Sequence, residues 1–257
     1  MRIVQCIPLL AAAFGAVAVS AQELETVVVI GAQSDEVERR LAGSVDVIGR
    51  DEIAYEHVDD TMELLTKVPG AYLSRFNQGI INSDVSIRGF AGDGSTPHVK
   101  LLIDGIPSNL HSGYPEMDQL FPLGIDSIEV FKGTSDARHG LYNIAGNYSI
   151  TTRSDADESG IEATAGSYDT RQLQAYTGLA TGSLTHAYFA GYREAEGYRD
   201  HTDLRKFVAS GRWTYGFSER TRLGLITRIA GYEGDAPGYL SRAVSRVAAR
   251  SSADYAN

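Results

Sequence analysis

The sequence predicts an α+β domain followed by antiparallel β-strands of alternating pattern, and three observations predict it. An apolar leader with small residues at its end opens the chain. A mixed helix-and-strand pattern punctuated by glycine fills roughly residues 41–153, and two-residue alternation takes over beyond 160.

Arg2 supplies a short positive start, Ile7 to Val19 is an apolar run, and Val19-Ser20-Ala21 puts small residues where a signal peptidase reads. Residues 1–21 are therefore expected to be a signal peptide cleaved after Ala21. The run is about 13 residues, short of the roughly 20 that span a bilayer as a helix. Cleavage removes Arg2 and no acid, taking the formal charge from −10 to −11. Such a chain lacks the basic face of a nucleic-acid binder, so no nucleic-acid partner is expected. Hydrophobic and charged shares of 43% and 22% are ordinary globular values and argue against disorder. Cys6, the only cysteine, lies inside the leader, so the mature chain is expected to hold neither a disulfide nor a cysteine metal site. No later apolar run reaches membrane-helix length. An exported chain of this kind is periplasmic, secreted, or in the outer membrane as strands.

Residues 22–40 are short and polar apart from Val27-Val28-Val29-Ile30, and Gln33 to Arg40 reads as a linker. Over 41–153, Ser44 to Ile48 reads as a strand. Asp59-Asp60-Thr61 can cap a helix whose apolar face is Val58, Met62 and Leu65, with Pro69-Gly70 as its stop. Short β-branched runs follow at Val85–Ile87, Val99–Ile103, Ser127–Phe131 and Tyr148–Thr152. The segment 154–160 marks a boundary, and 154–257 alternates. Phe207, Ala209, Gly211, Trp213 and Tyr215 share one parity, against Val208, Ser210, Arg212 and Thr214; Leu223, Leu225, Thr227 and Ile229 repeat the pattern. Such strands suit a membrane barrel or a soluble β-sandwich. Tight connections at 181–183 and 218–220, against a longer charged one at 193–203, favour the barrel.

Four stretches add a resemblance. They are Glu25-Thr26-Val27-Val28-Val29; Ile87-Arg88-Gly89-Phe90; Leu101-Leu102-Ile103-Asp104-Gly105-Ile106-Pro107; and a last run made of Ile128-Glu129-Val130-Phe131-Lys132-Gly133, Arg138-His139-Gly140, Asn143-Ile144-Ala145-Gly146 and Ile150-Thr151-Thr152-Arg153. In this order they resemble the plug domain of TonB-dependent outer-membrane receptors. Gly197-Tyr198-Arg199-Asp200 and Ala236-Pro237-Gly238-Tyr239 resemble early barrel sequence of that family. Two positions depart from its pattern: Thr134 stands where proline is usual, and Asn147-Tyr148 where an apolar pair is usual. Both read as loop or strand-edge changes.

The resemblance implies a plug at 41–153 and an incomplete barrel at 154–257, with lipid as a partner of the strands. It implies a TonB box at Glu25, Thr26, Val27, Val28 and Val29, which would add as a strand to TonB. Arg88 beside Gly89 is expected to pair with carboxylates on the barrel wall, with Glu129 as a candidate partner inside the plug. Asp104-Gly105 and glycines 133, 140 and 146 read as tight turns and close packing, with Arg138 in the same motif. Ligand contacts would come from outward loops, where Asp93, His98, His111 and Tyr114 are candidates. The implied function is active uptake of a scarce ligand, most often a ferric siderophore, driven by TonB and its inner-membrane energising complex. A signalling receptor of the family carries an extra domain before the TonB box, and Glu25 follows Ala21 too closely for one. A soluble periplasmic binding or adhesion module is the alternative from another class.

No enzymatic signature stands out. The histidines at 57, 98, 111, 139, 186 and 201 show no metal-ligand spacing, Gly89–Gly94 lacks the helix a phosphate loop needs, and no cofactor is expected. Plugged outer-membrane transporters have about 22 strands, and the residues after 154 suffice for about five at barrel length. The chain is therefore expected to be a fragment of a longer receptor or an interrupted reading frame, non-functional as it stands because an open five-stranded sheet cannot close into a transporter.

Overall fold

The computed structural model describes residues 44–58, 61–75, 83–90, 98–110, 113, 115, 117, 119–133, 140–218 and 220–252. The expected signal peptide and Glu25–Val29 lie outside them. Residues 42–257 cohere as one unit, built from two five-stranded sheets, a two-stranded hairpin and short helices.

The first half is a mixed sheet. Strands β1 (Ser44–Gly49), β4 (Val99–Ile103), β5 (Ile106–Pro107), β6 (Ile125–Lys132) and β7 (Gly146–Thr152) lie in the order β1-β6-β7-β4-β5. β4 and β7 run parallel, and the other pairs are antiparallel. A separate hairpin joins β2 (Ala71–Ser74) to β3 (Asp84–Ile87). Ile48, Met62, Leu65, Ile87, Leu101, Ile128, Val130, Tyr148 and Ile150 make the core. Alternate residues of β6 and β7 supply it, as strand geometry requires.

Two local expectations are corrected. The segment after Asp59-Asp60 is a 3-10 helix over Thr61–Lys67, burying Met62, Leu64 and Leu65, while an α-helix, α1 (Arg50–Tyr55), follows β1 directly. Asp51 and Glu52 sit in the first turn of α1, where the helix dipole favours acids. Asn147-Tyr148 is no strand edge. β7 lies between β6 and β4, and both residues are fully enclosed. Thr134 lies outside the described residues.

The second half is an antiparallel meander: β8 (Ser159–Ala165), β9 (Arg171–Thr181), β10 (Leu184–Ala195), β11 (Leu204–Ser218) and β12 (Thr221–Gly234). Tight turns at 181–184 and 218–221 mark one end, and longer connections at 166–170 and 196–203 the other. A last helix, α2 (Arg242–Val247), is capped by the Ser241 hydroxyl, which accepts from the Val244 amide.

Alternation divides this sheet into two faces. One face carries Tyr176, Ala187, Phe189, Lys206 and Val208, all buried against the first half. The opposite face leaves Leu173, Leu179, Tyr188, Tyr192, Phe207, Tyr215, Phe217, Leu223, Leu225 and Ile229 exposed. Phe207 and Phe217 are ten residue steps apart on β11, which at ~3.3 Å per residue and a ~45° tilt is about 23 Å of membrane depth. That matches the roughly 25 Å apolar band of an outer-membrane barrel. On the same face Trp213 lies back over Gly211, where a Cβ would come within 2.3 Å of the indole. Its Nε1 donates to the Tyr188 hydroxyl at 3.2 Å, and the two rings meet edge-on at 5.7 Å.

Candidate functional site

The site the fold builds is the seam between the mixed sheet and the inner face of the meander. Its apolar part is a reciprocal fit. Phe121 lies over Gly191 of β10, where a Cβ would come within 2.7 Å of the ring. Phe189, two residues earlier on the same face, lies over Gly124, where a Cβ would come within 3.1 Å. The two rings stand 6.0 Å apart, with Tyr176, Ala187 and Val208 around them.

Polar contacts flank this fit. The wholly buried Gln174 accepts from the Leu123 amide at 3.0 Å. Lys206, also buried, donates from Nζ to the Leu120 carbonyl at 3.0 Å and sits 4.5 Å from the centre of the Phe121 ring. The Thr61 hydroxyl donates to the same carbonyl.

Asp104 makes an enclosed ionic contact. It occupies the turn between β4 and β5 at φ 53°, a left-handed conformation that aspartate tolerates better than most residues. Its amide donates to the Ile150 carbonyl at 2.8 Å. One carboxylate oxygen accepts from the Thr152 amide at 2.9 Å, and both accept from the Thr152 hydroxyl. Arg212 of β11 and Arg228 of β12 reach across the seam to the same carboxylate, Arg228 at 3.3 Å. Arg212 also donates to the Thr152 hydroxyl at 3.0 Å. The Asp104 side chain is 4% exposed, so its charge is balanced by these guanidiniums rather than by water. Thr152, Arg153, Ser210, Arg212 and Arg228 line an adjoining cavity of about 10 Å³, room for one water.

A second ionic group ties the segment that joins the two halves. Arg50, at the start of α1, pairs with Asp126, Asp155 and Glu158, and Arg153 also meets Glu158. Burial works against the Arg50 charge, but the hydrogen bond to Asp126 and the three carboxylates outweigh it and raise its pKa. Arg153 stacks over the Tyr176 ring at 4.2 Å, and the Tyr176 hydroxyl donates to the Asp155 carbonyl at 2.8 Å.

A family model for the TonB-dependent receptor plug domain matches residues 37–147. That segment is a TonB-dependent receptor plug domain, and the chain as a whole resembles such receptors. It is 28% identical over 182 residues to a vitamin B12 transporter BtuB from Vibrio vulnificus, covering 69% of this chain and 29% of that protein. It is 29% identical over 142 residues to an iron-regulated outer membrane virulence protein from Vibrio cholerae, covering 52% of this chain and 21% of that one. Among solved structures, the unliganded ferric citrate transporter FecA superposes with a TM-score of 0.70 at 20% identity, over 82% of this chain and 34% of that chain. The siderophore receptor PirA from Pseudomonas aeruginosa superposes at 0.57 and 19% identity, over 73% of this chain and 35% of that one. At such identities the superpositions show the fold, a plug with barrel strands. The chain thus spans about a third or less of the length of these proteins. BtuB and FecA are transporters and PirA is a receptor, none of them an enzyme.

The sequence-expected residues divide. Arg88 is an exposed left-handed residue whose amide donates to Gly70. Its Nη1 lies 3.7 Å from where a Cβ on Gly133 would stand, and among the described residues no ion pair joins it to the barrel strands. Glu129 is buried in β6, opposite Val47 and Ser149. Gly89, Gly105, Gly133, Gly140 and Gly146 all have positive φ, and a Cβ on Gly146 would meet the Phe131 carbonyl at 2.0 Å. His98 is half-buried, its carbonyl accepts from the Ile144 and Ala145 amides, and its ring stands 5.9 Å from Phe90. Arg138, Asp93, His111 and Tyr114 lie outside the described residues. The sequence reading missed Gln174, Lys206, Arg212, Arg228 and Arg50. A signal existed for the first four: each is a polar residue at an inward parity position of a barrel strand.

Proposed function

We propose that this receptor takes up a scarce ligand across the outer membrane, with a ferric siderophore as the leading substrate class and TonB, with its energising complex, as the driving partner. The observation that carries the reading is the plug seated by a ring-and-glycine fit and an ionic contact against strands whose other face is apolar and aromatic. A seat held by a few contacts can be left and regained, which a gated pore requires. Export by the leader, coupling through Glu25–Val29, and ligand contact by Asp93, His98, His111 and Tyr114 belong to the same proposal. The iron-regulated relative and the structural likeness to siderophore and ferric citrate receptors support iron; the vitamin B12 transporters among the relatives support a corrinoid as second reading.

Uptake of ⁵⁵Fe-siderophores and of labelled cobalamin by cells producing the receptor, with and without TonB, tests both. TonB-dependent iron uptake that Val28→Pro abolishes supports the first reading, since proline cannot donate to a partner strand. TonB-dependent cobalamin uptake alone supports the second, and uptake that persists without TonB contradicts both.

A further inference from the structure

We infer that Asp104 is the latch that holds the plug to the barrel wall, and that parting its carboxylate from Arg212 and Arg228 opens the water path beside β4 and β7. The inference rests on the plug-and-barrel reading but adds a place and a polarity to it: the acid is on the plug and the bases are on the wall. Asp104 belongs to the turn that ends β4, and its side chain also holds Thr152 at the end of β7. One carboxylate therefore fastens two neighbouring plug strands to two neighbouring wall strands. Both arginines point inward, on the parity opposite the lipid-facing aromatics. A water-sized cavity adjoins the contact, lined by Ser210 together with Thr152, Arg153, Arg212 and Arg228. Two guanidiniums on one carboxylate also make the latch graded: either arginine alone keeps part of the hold.

Arg212 and Arg228 are positioning residues, tested by access at the seam rather than by stability. Ser210 lines the cavity, and Ser86 is buried in the β2–β3 hairpin and is not part of that lining. Each is replaced by cysteine in the full chain carrying Cys6→Ser, in detergent micelles, and the rate of labelling by a water-soluble maleimide is measured. Asp104→Asn is expected to speed labelling at Ser210→Cys by roughly ten- to a hundredfold, as loss of a charge-assisted hydrogen bond would, and to leave Ser86→Cys slow. Arg228→Gln is expected to give a smaller acceleration. Adding it to Asp104→Asn is expected to give no more than Asp104→Asn alone, because both cut the same contact. An unchanged rate at Ser210→Cys overturns the inference. Equal acceleration at both cysteines also overturns it, since that marks general unfolding. The lipid-facing reading of the sheet is tested separately through Trp213, so the two can fail independently.

Discussion

Gly191→Ala probes the seat of the plug without touching the plug's own sequence. The added methyl would stand 2.7, 2.9 and 3.0 Å from three carbons of the Phe121 ring. Carbon atoms at rest keep about 3.5–4.0 Å, so the ring must retreat by about 1 Å. The ring has little room to do so: Phe121 is 2% exposed, with Lys206 Nζ 4.5 Å from its centre. Overpacking of this kind costs about 1–3 kcal/mol. A middle value of about 2 kcal/mol corresponds to roughly thirtyfold in the closed-to-open ratio of the seat. Amide hydrogen exchange of the chain in detergent micelles reads that ratio locally. Residues 120–124 are expected to exchange roughly thirtyfold faster, with β6 and β7 still protected. Gly124→Ala is the internal standard. Its methyl would stand 3.1 Å from Phe189, a shift of a few tenths of an ångström, so its effect should stay below about 1 kcal/mol. Equal exchange in the Gly191→Ala chain and the parent, or the reverse ranking of the two alanines, would refute the reasoning.

Three further outcomes are expected. Lys206→Met should loosen the seat by only about 1 kcal/mol, because the Leu120 carbonyl keeps the Thr61 hydroxyl; adding Thr61→Val should exceed the sum of the two, because the carbonyl then loses both donors, as a denaturation series on the four chains would read. Arg199 donates to the carbonyls of Pro237, Gly238 and Ser251, pinning the segment after β12 to the β10–β11 connection. Arg199→Lys cannot span all three, and trypsin should then cut faster after the exposed Arg242, Arg246 and Arg250. Arg50→Gln should raise exchange across 153–158 while leaving 61–67 unchanged, since its carboxylate partners lie at Asp126, Asp155 and Glu158.

Most strands were legible because burial writes a local pattern. β1, β4, β6 and β7 follow β-branched runs, and β9 to β12 follow alternation whose parity correctly separated Phe207 and Trp213 from Val208 and Arg212. β2 and β5 were not legible, being four and two residues long with no alternation to count. The 3-10 helix carried a helix signal in Met62 and Leu65 but too few residues to specify its type. The seam was hidden for a different reason. Phe121, Gly124, Phe189 and Gly191 are unremarkable until the fold sets them face to face. Asp104 read as a turn residue, which it is; that its carboxylate faces Arg212 and Arg228, more than a hundred residues away, is a tertiary fact. Arg88 carried the stronger motif, yet its guanidinium lies beside Gly133.

Trp213, the chain's single tryptophan, tests most directly whether the meander is a membrane wall. With the chain in bilayers, its fluorescence should be quenched by lipids brominated on their acyl chains and little affected by aqueous iodide. Strong iodide quenching with no effect of brominated lipid would place that face in water and contradict a barrel wall closed by a plug.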